Sequence, residues 1–122
     1  MNRKILVPGI VVILVILLLF LTGCGTSENI KLLQEAEFHN WRGDTGFTYK
    51  EAMEQVMSNV KWSEYSGDDT IYIKITGKEK ETGNKIEIIF SKLDEDSFKK
   101  EEIIVNGEPE FSIYFTNMFT NI

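Results

Sequence analysis

The order of hydrophobic and polar positions divides the chain into one unbroken apolar run and a longer patterned region. From Ile5 to Leu21, seventeen consecutive positions carry no charged or polar side chain. Pro8-Gly9 interrupts the run, so Ile10–Leu21 is left as a continuous helix, shorter than the roughly 20 residues that span a bilayer. Further on, Asn29–His39 has helical spacing, with Ile30, Leu33 and Glu37 on one face and Leu32 and Ala36 beside it. Trp41–Gly46, with two glycines and an Asp, reads as loop. Thr48 and Glu51 then form the signature of a capping box, with Phe47 and Ala52 placed as a hydrophobic staple. Ala52, Met53, Val56, Met57 and Val60 make one apolar stripe, which predicts a helix from Thr48 to about Asn59.

Beyond that helix the period changes to two. Val60 and Trp62 alternate with Lys61 and Ser63, and Ser66–Asp69 reads as a turn. Ile71, Ile73 and Ile75 alternate with Tyr72, Lys74 and Thr76. After a polar loop over Gly77–Asn84, Ile86, Ile88 and Phe90 alternate with Lys85, Glu87 and Ile89. A second acidic turn, Leu93–Asp96, leads to a strand over Phe98–Val105. Asn106-Gly107 ends it, and Pro109 stands where a first helical residue would be. Phe111, Tyr114, Phe115, Met118, Phe119 and Ile122 recur at helical spacing to the end. The expectation is an α+β domain: an N-terminal helix, a three- to four-stranded antiparallel sheet, and a C-terminal helix packed on one sheet face.

Composition changes this picture once the apolar run is set aside. Without residues 1–23 the bases fall from 13 to 11 against 19 acids, a formal charge of −8 over 99 residues. That balance argues against nucleic acid and against docking on anionic lipid, which both call for Lys and Arg clusters. A single cysteine excludes an internal disulfide framework and a multi-cysteine zinc site.

Met1–Lys4 is a short basic segment ahead of the apolar run, the arrangement of an export signal. The next residues, Leu21-Thr22-Gly23-Cys24, resemble the lipobox of bacterial lipoprotein signals. The resemblance implies recognition of Leu21, Thr22 and Gly23 by the signal peptidase, diacylglyceryl attachment to the Cys24 thiol, and cleavage before Cys24. Palmitate-type chains would then hold the protein on the extracytoplasmic side of the cell membrane, and two such chains anchor stably. The domain division that follows is 1–23 signal peptide, 24–46 lipidated cysteine and tether with a short helix, and 47–122 the α+β domain.

Candidate chemistry is sparse. His39 has only Glu35 and Glu37 nearby, which falls short of a metal-ligand set. Asp68-Asp69 and Asp94-Glu95-Asp96 lack the spacing of a helix-loop-helix calcium loop and read as solvated turns. No phosphate-cradling loop, nucleophile–base motif, metal or cofactor is expected, and the protein reads as a non-enzyme. The outward side of the expected sheet is the exception. Tyr72, Lys74, Thr76, Lys85 and Glu87 would form a mixed aromatic and polar partner face if helices cover only the other side.

Residues 47–122 further resemble a family of small uncharacterised domains in exported or membrane-tethered proteins of low-GC Gram-positive bacteria. The likeness lies in Thr48-Tyr49-Lys50-Glu51-Ala52, Val60-Lys61-Trp62 with Tyr65, the strand from Ile71 to Gly77, and Val105-Asn106-Gly107-Glu108-Pro109. It implies an architecture and a location but no catalytic residues. A more distant likeness is to small lipoproteins of outer-membrane assembly, whose Gly-Met-Thr helix start this chain lacks. The expected function is that of a membrane-anchored envelope lipoprotein binding a protein or envelope component without catalysis. The alternative is a structural accessory subunit of an envelope assembly or transport complex.

Overall fold

A computed structural model of the chain describes residues 27–122. The lipobox residues Leu21, Thr22, Gly23 and Cys24 lie outside the described residues. The first helix, α1 (Glu28–Glu35), is capped by Ser27, whose hydroxyl accepts from the Ile30 amide at 3.0 Å. It stops at Ala36, which is extended (φ −68°, ψ 149°), and the chain enters β1 (Glu37–Asn40), paired antiparallel with β2 (Gly43–Thr48). The helix expected to run to His39 therefore ends four residues early, and the expected loop at Trp41–Gly46 is largely strand. Burial explains the change: as a strand, β1 directs Phe38 into the core, where it is 1% exposed beside Tyr49, Phe115 and Phe119. Gly43 and Gly46, at φ 113° and 81°, supply the left-handed backbone that this hairpin needs.

The second helix, α2 (Tyr49–Val56), starts where the capping box places it. Thr48 Oγ1 accepts from the Glu51 amide at 3.2 Å, and Glu51 Oε1 accepts from the Thr48 amide at 2.9 Å. Ala52 and Met53 are buried on its inner face. It ends three residues before Asn59, because Met57 is already extended and begins β3 (Met57–Gly67).

Strands β3, β4 (Thr70–Glu79), β5 (Lys85–Asp94), β6 (Ser97–Val105) and β7 (Glu108–Glu110) form an antiparallel meander in sequence order. Two of its hairpin turns use pairs of left-handed residues, Asp68-Asp69 (φ 51° and 63°) and Asn106-Gly107 (φ 52° and 87°). Such turns match the natural strand twist. The expected three- to four-stranded α+β arrangement is thus overturned. The main sheet has five strands, a second sheet has two, and strands hold 55% of the described residues against 24% for helices. The chain is mostly β.

Two local reasons account for the extra strand content. β4 runs on past Gly77, where β3 bulges between Ser58 and Lys61 and comes so close that any side chain would have to push Met57 or Ser58 aside. A Cβ at position 77 would lie 3.1 Å from both Cβ and Sδ of Met57. Pro109 does not start a helix; it lies opposite Ile104 in β7, an edge strand that tolerates the missing N–H.

The core lies on one side of the meander. Ile73, Ile75, Ile86, Ile88, Phe90, Ile103 and Val105 face Ile30, Leu33, Phe38, Ala52, Met53 and Phe119. Ile30, Leu33 and Phe38 belong to it, so the folded unit begins ahead of residue 47. The last helix, α3 (Ser112–Met118), leans on the β1–β2 hairpin through Phe115 and on Phe119 just beyond its end. Asn40 Nδ2 donates to the Phe119 carbonyl at 3.0 Å. A polar chain ties α3 to the sheet as well. Tyr114 Oη donates to Glu79 Oε1 at 2.7 Å, Thr82 Oγ1 donates to the same oxygen at 2.8 Å, and Asn84 Nδ2 donates to Tyr114 Oη at 2.9 Å. Glu79 is the buried carboxylate that the Tyr114 and Thr82 hydroxyls satisfy.

Candidate functional site

Strand register decides which side chains share the face of the sheet opposite the core. Ile73, Ile75, Ile86, Ile88, Phe90, Ile103 and Val105 point inward, so the intervening residues point outward. The outward residues form cross-strand rungs. Tyr65, Tyr72, Ser91 and Lys99 make one; Ser63, Lys74, Ile89 and Glu102 make the next. Lys61, Thr76, Glu87, Ile104 and Pro109 follow, and then Ser58, Lys78 and Lys85. Apart from Ser91, these residues are exposed or half-buried.

All five residues of the expected partner face, Tyr72, Lys74, Thr76, Lys85 and Glu87, are on this surface and on adjacent rungs. Tyr65 stacks on Tyr72 with ring centroids 5.2 Å apart and planes 19° apart. Lys74 Nζ is 3.8 Å from Glu87 Oε1, with both side chains more than a third exposed. Ser91 Oγ donates to Glu101, the extra residue of a bulge in β6, and that contact closes the Tyr72 end of the face. At the other end, Asn59, Lys61, Thr76, Gly77, Lys78, Lys85, Ile86 and Glu87 line an open depression of about 270 Å³.

Sequence reasoning missed Lys61, Lys78 and Tyr65 as members of this face. Lys61 and Tyr65 alternate with Trp62 and Glu64, a signal that was present in the period-two pattern. Lys78 follows Gly77, a residue type that usually ends a strand; only the approach of Met57 shows why β4 continues through it.

The other candidates are dispersed. His39 is on β1 with its side chain 55% exposed, and its Nε2 is 3.6 Å from Glu37 Oε1. The acidic turns Asp68-Asp69 and Asp94-Glu95-Asp96 are at one end of the sheet, where Asp69, Asp94 and Glu95 border a second depression. Asp94 accepts from Ser97 Oγ at 2.8 Å and from the Asp96 amide at 3.2 Å, and these bonds hold its carboxyl below the usual carboxylate range. Among the described residues no group of three or more His, Cys, Asp or Glu side chains could hold a metal ion. Nor is any described helix long and apolar enough to cross a membrane.

The chain matches no protein-family model, no curated protein and no solved structure. No relative's residue roles therefore carry over to the outward face.

Proposed function

We propose that this protein is a lipoprotein anchored through Cys24 on the extracytoplasmic side of the cell membrane, and that the outward sheet face is its binding surface for an envelope component. The observation that carries the reading is the asymmetry of the sheet. One side holds the whole core, while the other presents a stacked tyrosine pair, lysines and hydroxyls to solvent. Aromatic groups beside flexible cations suit adhesion to a partner, since the rings bring area with little entropy cost and the lysines bring charge. The reading is of binding and not of catalysis: Glu87, near the centre of the face, is paired with Lys74, and Glu102 on the next rung is exposed to solvent.

The anchor and the folded unit are close together in this reading. Two residues, Gly25 and Thr26, separate Cys24 from Ser27, a reach of at most about 11 Å. Ser27 Oγ donates to Glu64, which shares a rung with Ile73 on the core side of the sheet. Lipid attachment would therefore hold the domain against the bilayer by its core side and leave the outward face accessible.

Two measurements test this. Cells fed a radioactive fatty acid should label the wild-type protein and leave Cys24→Ala unlabelled; equal labelling refutes the anchor. A photoreactive amino acid placed at Thr76 should give a crosslinked adduct in intact cells. The same group at Glu54, exposed on α2, should not. Equal adduct yields at the two positions refute the binding face.

A further inference from the structure

The lysines of the outward face are not distributed as a solvated acidic domain would have them. Six of the eleven cationic side chains in residues 27–122 have a partner. Arg42 is over Trp41, Lys50 is with Glu54, Lys74 is with Glu87, and Lys80 donates to the Glu54 carbonyl. Lys92 donates to Asn29, and Lys100 sits over Phe115. Of the five without an ion pair, hydrogen bond or aromatic partner among the described residues, three, Lys61, Lys78 and Lys85, border one depression. Carboxylates outnumber cations 19 to 11 in this part of the chain, yet none is within 4.0 Å of these three ammonium groups.

Register makes the arrangement costly in the free protein. Lys78 and Lys85 are direct cross-strand partners. Cβ atoms of such a pair are about 5 Å apart, and like charges at that spacing destabilise a sheet. Lys61 is on the neighbouring rung, within diagonal reach of Lys78 for a long side chain. Thr76 adds a hydroxyl and Asn59 an amide at the rim, and the carboxylate that also lines it, Glu87, is paired with Lys74. An anion seated among them would relieve the repulsion. Three point-charge donors without an arginine fork suit a compact, multiply charged oxyanion better than a single planar carboxylate.

We propose that the depression bordered by Lys61, Lys78 and Lys85 is a binding site for a multiply charged phosphate group, such as a phosphomonoester or pyrophosphate, carried by a molecule outside the anchoring bilayer. This assignment rests on the outward face being the binding surface and names the chemistry it recognises. The placement of the anchor selects the source. Lys78 is five residues along β4 from Ile73, the rung of Glu64 and Ser27, roughly 17 Å at strand spacing, and on the opposite face of the sheet. The triad thus points away from the lipid attachment.

The full chain, held in neutral detergent micelles, is titrated with inorganic pyrophosphate and followed by amide NMR shifts. Saturable shifts at Thr76, Gly77, Lys78 and Lys85 are expected, with affinity falling as salt rises. The doubly substituted Lys78→Gln, Lys85→Gln chain should bind about fivefold more weakly for each lysine removed. Lys31→Gln, which removes an unpaired lysine on α1, should leave affinity unchanged. The exposed positions let all variants fold, which unchanged spectra away from the site would verify. No saturable binding, or equal affinity in the double variant, overturns the phosphate assignment. So does equal affinity for a triglutamate peptide or for dimethyl phosphate, or contact of the triad with anionic vesicles in place of pyrophosphate binding. If pyrophosphate fails while crosslinking at Thr76 persists, the phosphate assignment falls and the binding face stands; loss of crosslinking as well removes both.

Discussion

Phe111 and Phe119 occupy the same apolar stripe in the sequence, and the fold separates them sharply. Phe119 is 1% exposed, with its ring centroid 4.8 Å from those of Phe38 and of Phe115. Phe111, at the N-cap of α3, is 82% exposed and touches none of these rings closely enough to stack. Truncating a buried phenylalanine to alanine typically costs about 3–5 kcal/mol, because transfer free energy is lost and a cavity remains. Truncating an exposed one costs about 0.5 kcal/mol or less. A domain of this size has a total stability of roughly 5–14 kcal/mol, so Phe119→Ala should remove a large share of it. With about 4–8 °C of Tm per kcal/mol, the expected fall is at least about 12 °C, against a few degrees for Phe111→Ala. The helix has only seven residues and cannot hold itself together, so this docking is what keeps it formed. Urea unfolding followed by fluorescence of Trp41 and Trp62 gives both free energies. If the two variants lose equal stability, the burial of Phe119 and the exposure of Phe111 are wrong. If Phe119→Ala costs less than about 1 kcal/mol, the aromatic cluster does not anchor the C-terminus.

Two further predictions concern the sheet. Gly77→Ala should destabilise by about 1–2 kcal/mol, since overpacking against Met57 exceeds the entropy gained from losing a glycine. The loss should shrink in a Met57→Ala background, which removes the Sδ contact and keeps the Cβ, and an unchanged loss would show that the Met57 sulfur is not the obstacle. The phenols of Tyr49 and Tyr114 are both held above the ordinary value of 10.0, by burial in each case and for Tyr114 also by its hydrogen bond to Glu79. Because the folded state keeps these protons more tightly than the unfolded chain, their contribution is whole below pH 10.0 and is lost as pH rises through the raised values. Stability measured by urea titration should therefore fall above that pH, and less steeply in a chain carrying Tyr49→Phe and Tyr114→Phe; identical slopes would refute the assignment.

Local chemistry made some elements legible. The capping box of Thr48 and Glu51 fixes the start of α2 through contacts within four residues, and both of its hydrogen bonds form. The alternation of Ile71, Ile73 and Ile75 with Tyr72, Lys74 and Thr76 sets which side chains share a face, because a strand has period two whatever packs on it. That is why the five residues of the expected face came to one surface. Asn106-Gly107 likewise signals a tight turn through residue types that accept left-handed backbone.

Long-range contacts decided the rest. The stretch after Ala36 carries a helical pattern, and its conversion to strand depends on β2, Tyr49 and Phe119 closing over Phe38. Pro109 is consistent with a helix start or an edge strand; pairing with Ile104 chooses the strand and turns an expected sheet of three or four strands into one of five. Gly77 reads as a break until the bulge of β3 presses Met57 against it. Only that continuation of β4 brings Lys78 opposite Lys85 and beside Lys61, so the residues of the phosphate proposal are joined by register across three strands. Sequence determines local backbone preference and the inward or outward sense of each strand residue, since both act over a few bonds. The partners across the sheet, and with them the charge pattern of its outer face, exist only once distant segments have packed.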